Sequence, residues 1–281
     1  MSDRSNVIYC YDGSFDGLMC CVFDSYTRKE VPSDIVTKEN QQLTFNEVHD
    51  VITDEAHADR ILRSIPKKMG ENATDFIKKA FLSDIPYRDM YILRFMYMGY
   101  KYGFRVMYMV ADSTVNTLYK AVQGSCHEAH LLMGFVRFSD NNGTLSAVIE
   151  PKNKVLPLMA AHFIDRYRNE NFLIYDKTNR MALIYSDHNA DHNAEIVEDI
   201  DFELPDTTEE EEYYRQLWKT FYNTIGIEER YNPLCRMNLM PKRYWGQIVE
   251  MEEEIMHSKN APRPSGLDSI PSDEQPKLDN N

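Results

Sequence analysis

The sequence predicts an α+β protein: a mostly antiparallel sheet packed by helices, with a helical C-terminal third. Three observations predict it. Residues 134–149 alternate apolar and polar about the turn Asp140-Asn141-Asn142-Gly143, and two further apolar runs, Phe172–Tyr175 and Met181–Tyr185, flank a second turn, so the middle of the chain reads as two hairpins. Apolar residues at helical spacing fill most of 53–127. From about Thr208 the spacing is helical again, with Tyr214, Leu217, Trp218, Phe221 and Tyr222 on one face.

In order, Val7–Tyr11 is an apolar, β-favouring run that stops at Asp12-Gly13, and after Ser14 come Phe15, Leu18, Met19, Val22, Phe23 and Tyr26. This is the pattern of strand, tight turn and helix. Gln42–Phe45 and Val48–Ile52 read as short strands. Thr53 or Asp54 suits the N-cap of a helix that carries Ala56, Ile61 and Leu62 and closes at Ile65-Pro66. Helices follow over Glu71–Leu82, from Pro86 to a C-cap at Gly103, and over Val106–His127. Strands at Gly134–Phe138 and Thr144–Ile149, a helix at Leu156–Tyr167 and the second hairpin come next. A polar loop, Glu228–Pro233, separates the Thr208 helix from a last one over Pro241–Met256. Beyond His257 the chain is Pro, Ser, Asp and Lys with few large apolar residues. The expected organisation is one domain over 1–256 and a disordered tail over 257–281.

At 281 residues, 43% hydrophobic and 27% charged, the chain is long enough to bury a sizeable core. No apolar run is long enough to span a bilayer, and the first residues lack the apolar stretch of a signal peptide, so a cytoplasmic protein with no membrane partner is expected. The five cysteines, Cys10, Cys20, Cys21, Cys126 and Cys235, include no C-x-x-C pair. They read as free thiols, and the chain alone is expected to hold neither a metal nor an iron–sulfur cluster; any other cofactor is left open. The net charge is −14, and Glu195, Glu198, Asp199, Asp201, Glu203, Asp206 and Glu209–Glu212 supply most of the excess in one stretch without a Lys or Arg. That stretch reads as a solvated acidic loop leading into a helix, or as a nucleic-acid mimic or a docking surface for a basic partner.

Four sets of residues have the composition of a site. Asp12 and Asp16 bracket the first turn, as a carboxylate pair for proton or metal chemistry or as helix-capping acids. The D-x-D-G-T phosphatase motif is excluded there, because its nucleophilic Asp would be Cys10. Glu128 and His130, with Arg137 nearby, are a candidate set for activating water or holding phosphate, provided the backbone at 128–130 is not helical. His162 and Arg166 share a helix face and, with Arg168, Lys152 and Lys154, form a candidate phosphate-backbone patch. Arg230, Asn232, Lys242, Arg243, Tyr244 and Trp245 interleave cations with aromatics, the pattern by which proteins hold phosphates and stack bases. The Tyr- and Met-rich segment 90–109 admits two readings, a base-stacking surface or adaptable core packing.

The opening Tyr11–Gly17, Glu128-Ala129-His130 followed by Gly134–Phe138, Pro157-Leu158 with His162-Phe163 and Arg166, and the closing Glu229-Arg230-x-Asn232-Pro233 and Met240-Pro241-x-Arg243-Tyr244-Trp245 together resemble one group. It is the bacterial DNA-metabolism protein family built on a domain of unknown function, and the similarity runs from about Val7 to Met256. The resemblance implies association with a radical-SAM protein of DNA modification or repair, and kinship with domains fused to uracil-DNA-glycosylase-like domains. It assigns no catalytic residue, and Cys235 and Arg236 depart from the family pattern, which has Leu and Gln there. The expected function is DNA repair or modification with a radical-SAM partner, through binding of DNA or a damaged nucleotide. A hydrolase of phosphoester or N-glycosidic bonds, using Asp12, Asp16, Glu128 or His130, and a non-catalytic adaptor with an acidic docking stretch are the alternatives.

Overall fold

A computed structural model describes residues 6–40, 46–186, 194–201, 208–225, 227 and 232–251. The strand expected at Gln42–Phe45, most of the loop before Pro233 and the tail beyond 257 lie outside the described residues. The chain divides into two compact units, 1–212 and 213–281. Mixed α/β architecture is present, as the sequence predicts, but distributed over two sheets.

The first sheet is parallel. Strand β1 (Val7–Tyr11) lies between β2 (Asp34–Thr37) and β3 (Glu47–Asp50), with Tyr9 opposite both Ile35 and His49. As the central strand it is covered on both faces, and Tyr9, Cys10 and Tyr11 are fully buried. Helix α1 (Phe15–Arg28) makes the crossover that a parallel pair needs. Helices α2 (Glu55–Met69), α3 (Asn72–Phe81), α4 (Arg88–Tyr102) and α5 (Ser113–Phe135) complete the core around Tyr9, Tyr11, Leu18 and Met19. Asp54 caps α2, its carboxylate accepting from His57 N at 2.8 Å. Contrary to the sequence expectation, α2 passes through Pro66 and ends at Gly70. Burial of Ile65 and Met69 holds that last turn against the proline's missing donor.

The helix expected over 106–127 is two elements. A 3-10 turn, Gly103–Tyr108, follows α4, and α5 begins after Asp112, whose carboxylate accepts from Thr114 N and Val115 N. Helix α5 then continues through Gly134 and Phe135, so no strand forms at 134–138. The buried series Ser125, Glu128, Ala129 and Leu132 keeps one helix face in the interior and outweighs the alternation of Phe135–Phe138.

The second sheet has the order β4-β5-β6-β7-β8, from Ser139–Asp140, Thr144–Ile149, Asn171–Asp176, Met181–Tyr185 and Ala194–Val197. Three of its four pairings are antiparallel; β5 and β6 pair in parallel through the crossover helix α6 (Leu156–Arg166). Asn142 (φ 55) and Gly143 (φ 84) both take the left-handed conformation that the two-residue β4–β5 turn demands. Strand β8 falls inside the acidic stretch, so that stretch is partly sheet edge rather than loop.

Helix α7 (Glu209–Ile225) contains the boundary between the units. The second unit continues with α8 (Pro233–Leu239) and two 3-10 turns, Lys242–Gln247 and Val249–Met251. These turns replace the start of the helix expected from Pro241, because Ile248 adopts extended backbone (φ −110, ψ 109) between them.

Candidate functional site

Asp12 stands where β1 ends. Its Oδ1 accepts from Ser14 N (2.9 Å) and Ser14 Oγ (2.7 Å), and its Oδ2 from Thr53 Oγ1 (2.7 Å). Ser14 Oγ in turn accepts from Gly17 N at 2.9 Å and caps α1. Burial raises the Asp12 pKa, but the donors from Ser14 and Thr53 outweigh it and hold the carboxylate below its ordinary range. A Cβ on Gly17 would stand 2.2 Å from Asp12 Oδ1 and 2.9 Å from Thr53 Oγ1. The glycine is therefore what lets the carboxylate lie over the first helical turn. Asp16 is exposed in that turn, where an acid favours the helix dipole. The set clamps β1, α1 and the start of α2 together.

Beneath it lies a buried group that the sequence reading does not single out. Tyr11 OH donates to Asp89 Oδ2 at 2.8 Å, and Arg88 Nε donates to Asp89 Oδ1 at 2.7 Å. Burial first, and then the Asp89 charge, push the Tyr11 phenol up, so it stays protonated. The residues lie 78 apart in sequence, which hides the pairing from any local pattern.

Glu128 is buried on α5 and closes the loop after β5. Its oxygens accept from Lys152 N (3.0 Å), Asn153 N (2.9 Å) and Asn153 Nδ2 (2.5 Å). Asn153 Oδ1 accepts from Asp84 N at 2.9 Å. Asn179 Nδ2 donates to Asn153 O (3.3 Å) and to Asp176 Oδ2 (2.7 Å), while Asn179 N donates to Asp176 Oδ1 (3.0 Å). Burial pushes the fully buried Asp176 up to about 6; the Asn179 bonds oppose this and the Glu128 charge adds to it. Asn153, Asp176 and Asn179 join Glu128 in this network without any sequence forecast. The one signal is the Asp176–Asn179 turn, since Asp and Asn bond their own backbone in turns.

His130 does not join them. Because α5 is continuous at 128–130, the two side chains project roughly 200° apart, and His130 is exposed. Arg137 donates to Gly134 O (3.2 Å) and Val136 O (3.3 Å) at the C-terminal end of α5. Asp12 and Glu128 thus sit in separate hydrogen-bonding networks.

His162 and Arg166 are exposed on α6. His162 meets Phe163 edge-on at 5.1 Å, and Arg166 lies 5.8 Å from the Tyr167 ring. Their basic neighbours are partly neutralised: Arg168 pairs with Asp165 at 2.7 Å and Lys154 with Glu198 at 3.7 Å. In the second unit Asn232 caps α8, accepting from Cys235 N at 3.0 Å. Tyr244 and Trp245 are 5% and 4% exposed, too buried to stack on a base. Trp245 Nε1 donates to Met240 O at 2.9 Å, Arg236 and Lys242 lie 5.2 and 5.5 Å from the Trp245 ring, and Arg243 lies 4.6 Å from the Tyr244 ring. The rings are anchors, and the exposed cations Lys242 and Arg243 ride on them. Arg230 lies outside the described residues.

Fold and sites together define a mixed α/β protein whose buried carboxylates tie loops to helices and whose exposed cations are held on aromatic rings. The family model of a domain of unknown function, DUF4130, matches residues 86–250, more than half of the chain, and the chain belongs to that family. The match takes in Glu128, the second sheet and the aromatic anchors of the second unit; β1, α1, α2 and α3 precede it. No curated protein and no solved structure matches the chain. Among the described residues, no helix is long and apolar enough to cross a membrane.

Proposed function

We propose that the protein acts in DNA repair or modification, together with a radical-SAM protein, by binding DNA or a damaged nucleotide; we assign it no catalytic centre. The observation that carries the reading is the pair Lys242 and Arg243, exposed cations seated on the buried rings of Trp245 and Tyr244. A cation whose charged group is already positioned over a ring loses less freedom on meeting a phosphate than one on a loose side chain. The radical-SAM partner is supported by the resemblance of the Tyr11–Gly17, Glu128–Phe138 and Met240–Trp245 motifs. No observation favours the hydrolase or the adaptor: Asp12 and Glu128 direct their oxygens at backbone, hydroxyl and side-chain amide donors, and the acidic stretch is partly paired sheet.

Fluorescence anisotropy with a labelled duplex at about 50 mM salt tests the reading. Lys242→Ala with Arg243→Ala should weaken binding evenly across sequences and lower the salt dependence by about two phosphate contacts. Absence of DNA binding at that salt, alone and with the radical-SAM partner, would remove the proposal.

A further inference from the structure

The Tyr- and Met-rich segment after Asp89 divides in two. Met90 and Met96 are buried core, whereas Tyr102, Phe104 and Tyr108 are 43%, 62% and 77% exposed. Three large rings left in solvent within seven residues need an explanation, since an exposed ring forfeits the burial that usually justifies it.

The segment that carries them is not loose. Gly99 lets α4 close on α2, because a Cβ there would stand 2.3 Å from Met69 Sδ, and the Ser64 and Tyr100 hydroxyls are hydrogen-bonded at 2.5 Å. Gly103 turns the chain at φ 66 against Lys68 O. Val106 is fully buried, and Tyr119 OH donates to Met107 O at 2.6 Å. Phe104 and Tyr108 therefore project from a pinned turn, and Tyr102 from the end of α4 before it, beside the C-terminal end of α2.

That neighbourhood is basic in a chain of net charge −14. On α2, Arg63 and Lys67, with Arg60 nearer the start of the helix and 5.8 Å from the Phe23 ring, line a concavity of about 460 Å3; Asp59, also in its lining, bridges Arg63 at 2.6 Å. Lys68, Lys101 and Arg105 are exposed where α2 meets the turn, and Lys101 Nζ lies 5.0 Å from the Tyr102 ring. Cations beside solvent-facing rings match the two repeating features of an unpaired strand, its phosphates and its open base faces. A duplex hides those faces in its stack.

We infer that the surface formed by the C-terminal half of α2, the end of α4 and the turn 103–108 binds a single strand of DNA, its cations on the phosphates and Tyr102, Phe104 and Tyr108 against the bases. The inference rests on the reading of the protein as DNA-binding and names a second surface, separate in sequence from Lys242 and Arg243.

The test is anisotropy with labelled oligo(dT), oligo(rU) and a duplex, each of about 20 nucleotides or base pairs, at about 50 and 200 mM salt. Tyr102→Ala/Phe104→Ala/Tyr108→Ala removes only exposed rings, and its thermal unfolding is compared with that of the unaltered chain. The expected result is preference for oligo(dT) over duplex, a loss of at least about tenfold on oligo(dT) in the ring variant, and unchanged duplex binding. Lys67→Glu/Lys68→Glu/Arg105→Glu should lose oligo(dT) and flatten the salt dependence. If the ring variant, still folded, holds oligo(dT) as tightly as the unaltered chain, the inference is overturned, and binding that depends on Lys242 and Arg243 would leave the proposed function standing. Binding confined to oligo(rU) and lost in the ring variant upholds a single-strand surface and removes the DNA reading. No binding of either oligonucleotide overturns the inference.

Discussion

At the scale of single residues, the opening Asp-Gly-Ser-Phe-Asp-Gly is explained by space. Asp12 can accept from Ser14 and Thr53 only if position 17, in the helical turn beneath it, carries no side chain, and Gly17 meets that requirement. Gly17→Ala should cost about 1–3 kcal/mol, read from chemical unfolding, because the new methyl must displace either Asp12 or the start of α2. Part of that cost should vanish in an Asp12→Ala background, and strict additivity of the two substitutions would show that they do not meet. The local part of this site, a turn with a capping Ser, is legible in sequence. The Thr53 donor, 41 residues on, is not.

Asp176 carries a pH signature at the same scale. Its carboxyl is raised from 3.8 to about 6, so between those values the folded chain keeps a proton that the unfolded chain has lost. Stability contributed by this group is full below about pH 3.8, falls as pH rises, and levels off above about 6. Asp176→Asn removes the titration. Whatever constant cost the amide brings, the variant should gain about 2 kcal/mol relative to the unaltered chain between pH 4 and pH 7, measured as urea midpoints along that series. A difference that stays constant with pH would exclude Asp176 as the titrating group. Asp12 works in the opposite sense, since its carboxylate is held low and loses its contribution only as pH falls through its own lower value.

At the scale of elements, the sequence is most legible where periodicity is long and most misleading at ends. Helices α3, α4 and α6 and the β6–β7 hairpin stand close to where spacing places them. The strand expected at Gly134–Phe138 fails because alternation over five residues competes with a buried helix face that is already in progress. Helix α8 had a readable start in Asn232-Pro233, an N-cap followed by a first-turn proline, whose signal the surrounding polar residues obscure. The seam between α2 and α4 depends on Gly103, whose φ 66 and ψ −149 lie in backbone territory that side chains avoid. Gly103→Ala should destabilise the chain by about 1–3 kcal/mol and, by shifting the turn 103–108, weaken oligo(dT) binding more than duplex binding. A variant of full stability with unaltered preference would mean that this turn does not set the surface.

At the scale of the whole molecule, the difficulty is a chain of net charge −14 that is proposed to bind a polyanion. Placement resolves it. Most of the excess lies in the ten acids between Glu195 and Glu212, while Arg60, Lys67 and Lys68 stand on α2, Lys101 at the end of α4, Arg105 in the turn 103–108, and Lys242 and Arg243 in the second unit. The acids then act as a long-range field that slows the approach of nucleic acid, and the local cations and rings hold what arrives. Such a field is screened within about 10 Å at 0.1 M salt, whereas ring stacking is not. Replacing the ten acids by Gln and Asn should therefore raise oligo(dT) affinity several-fold at about 10 mM salt, chiefly through the association rate, and the advantage should disappear by about 200 mM. Stopped-flow fluorescence across that range separates the two effects. A gain that persists at high salt would place the acids in direct contact with the strand-binding surface, and a loss of affinity would make them part of the binding site itself.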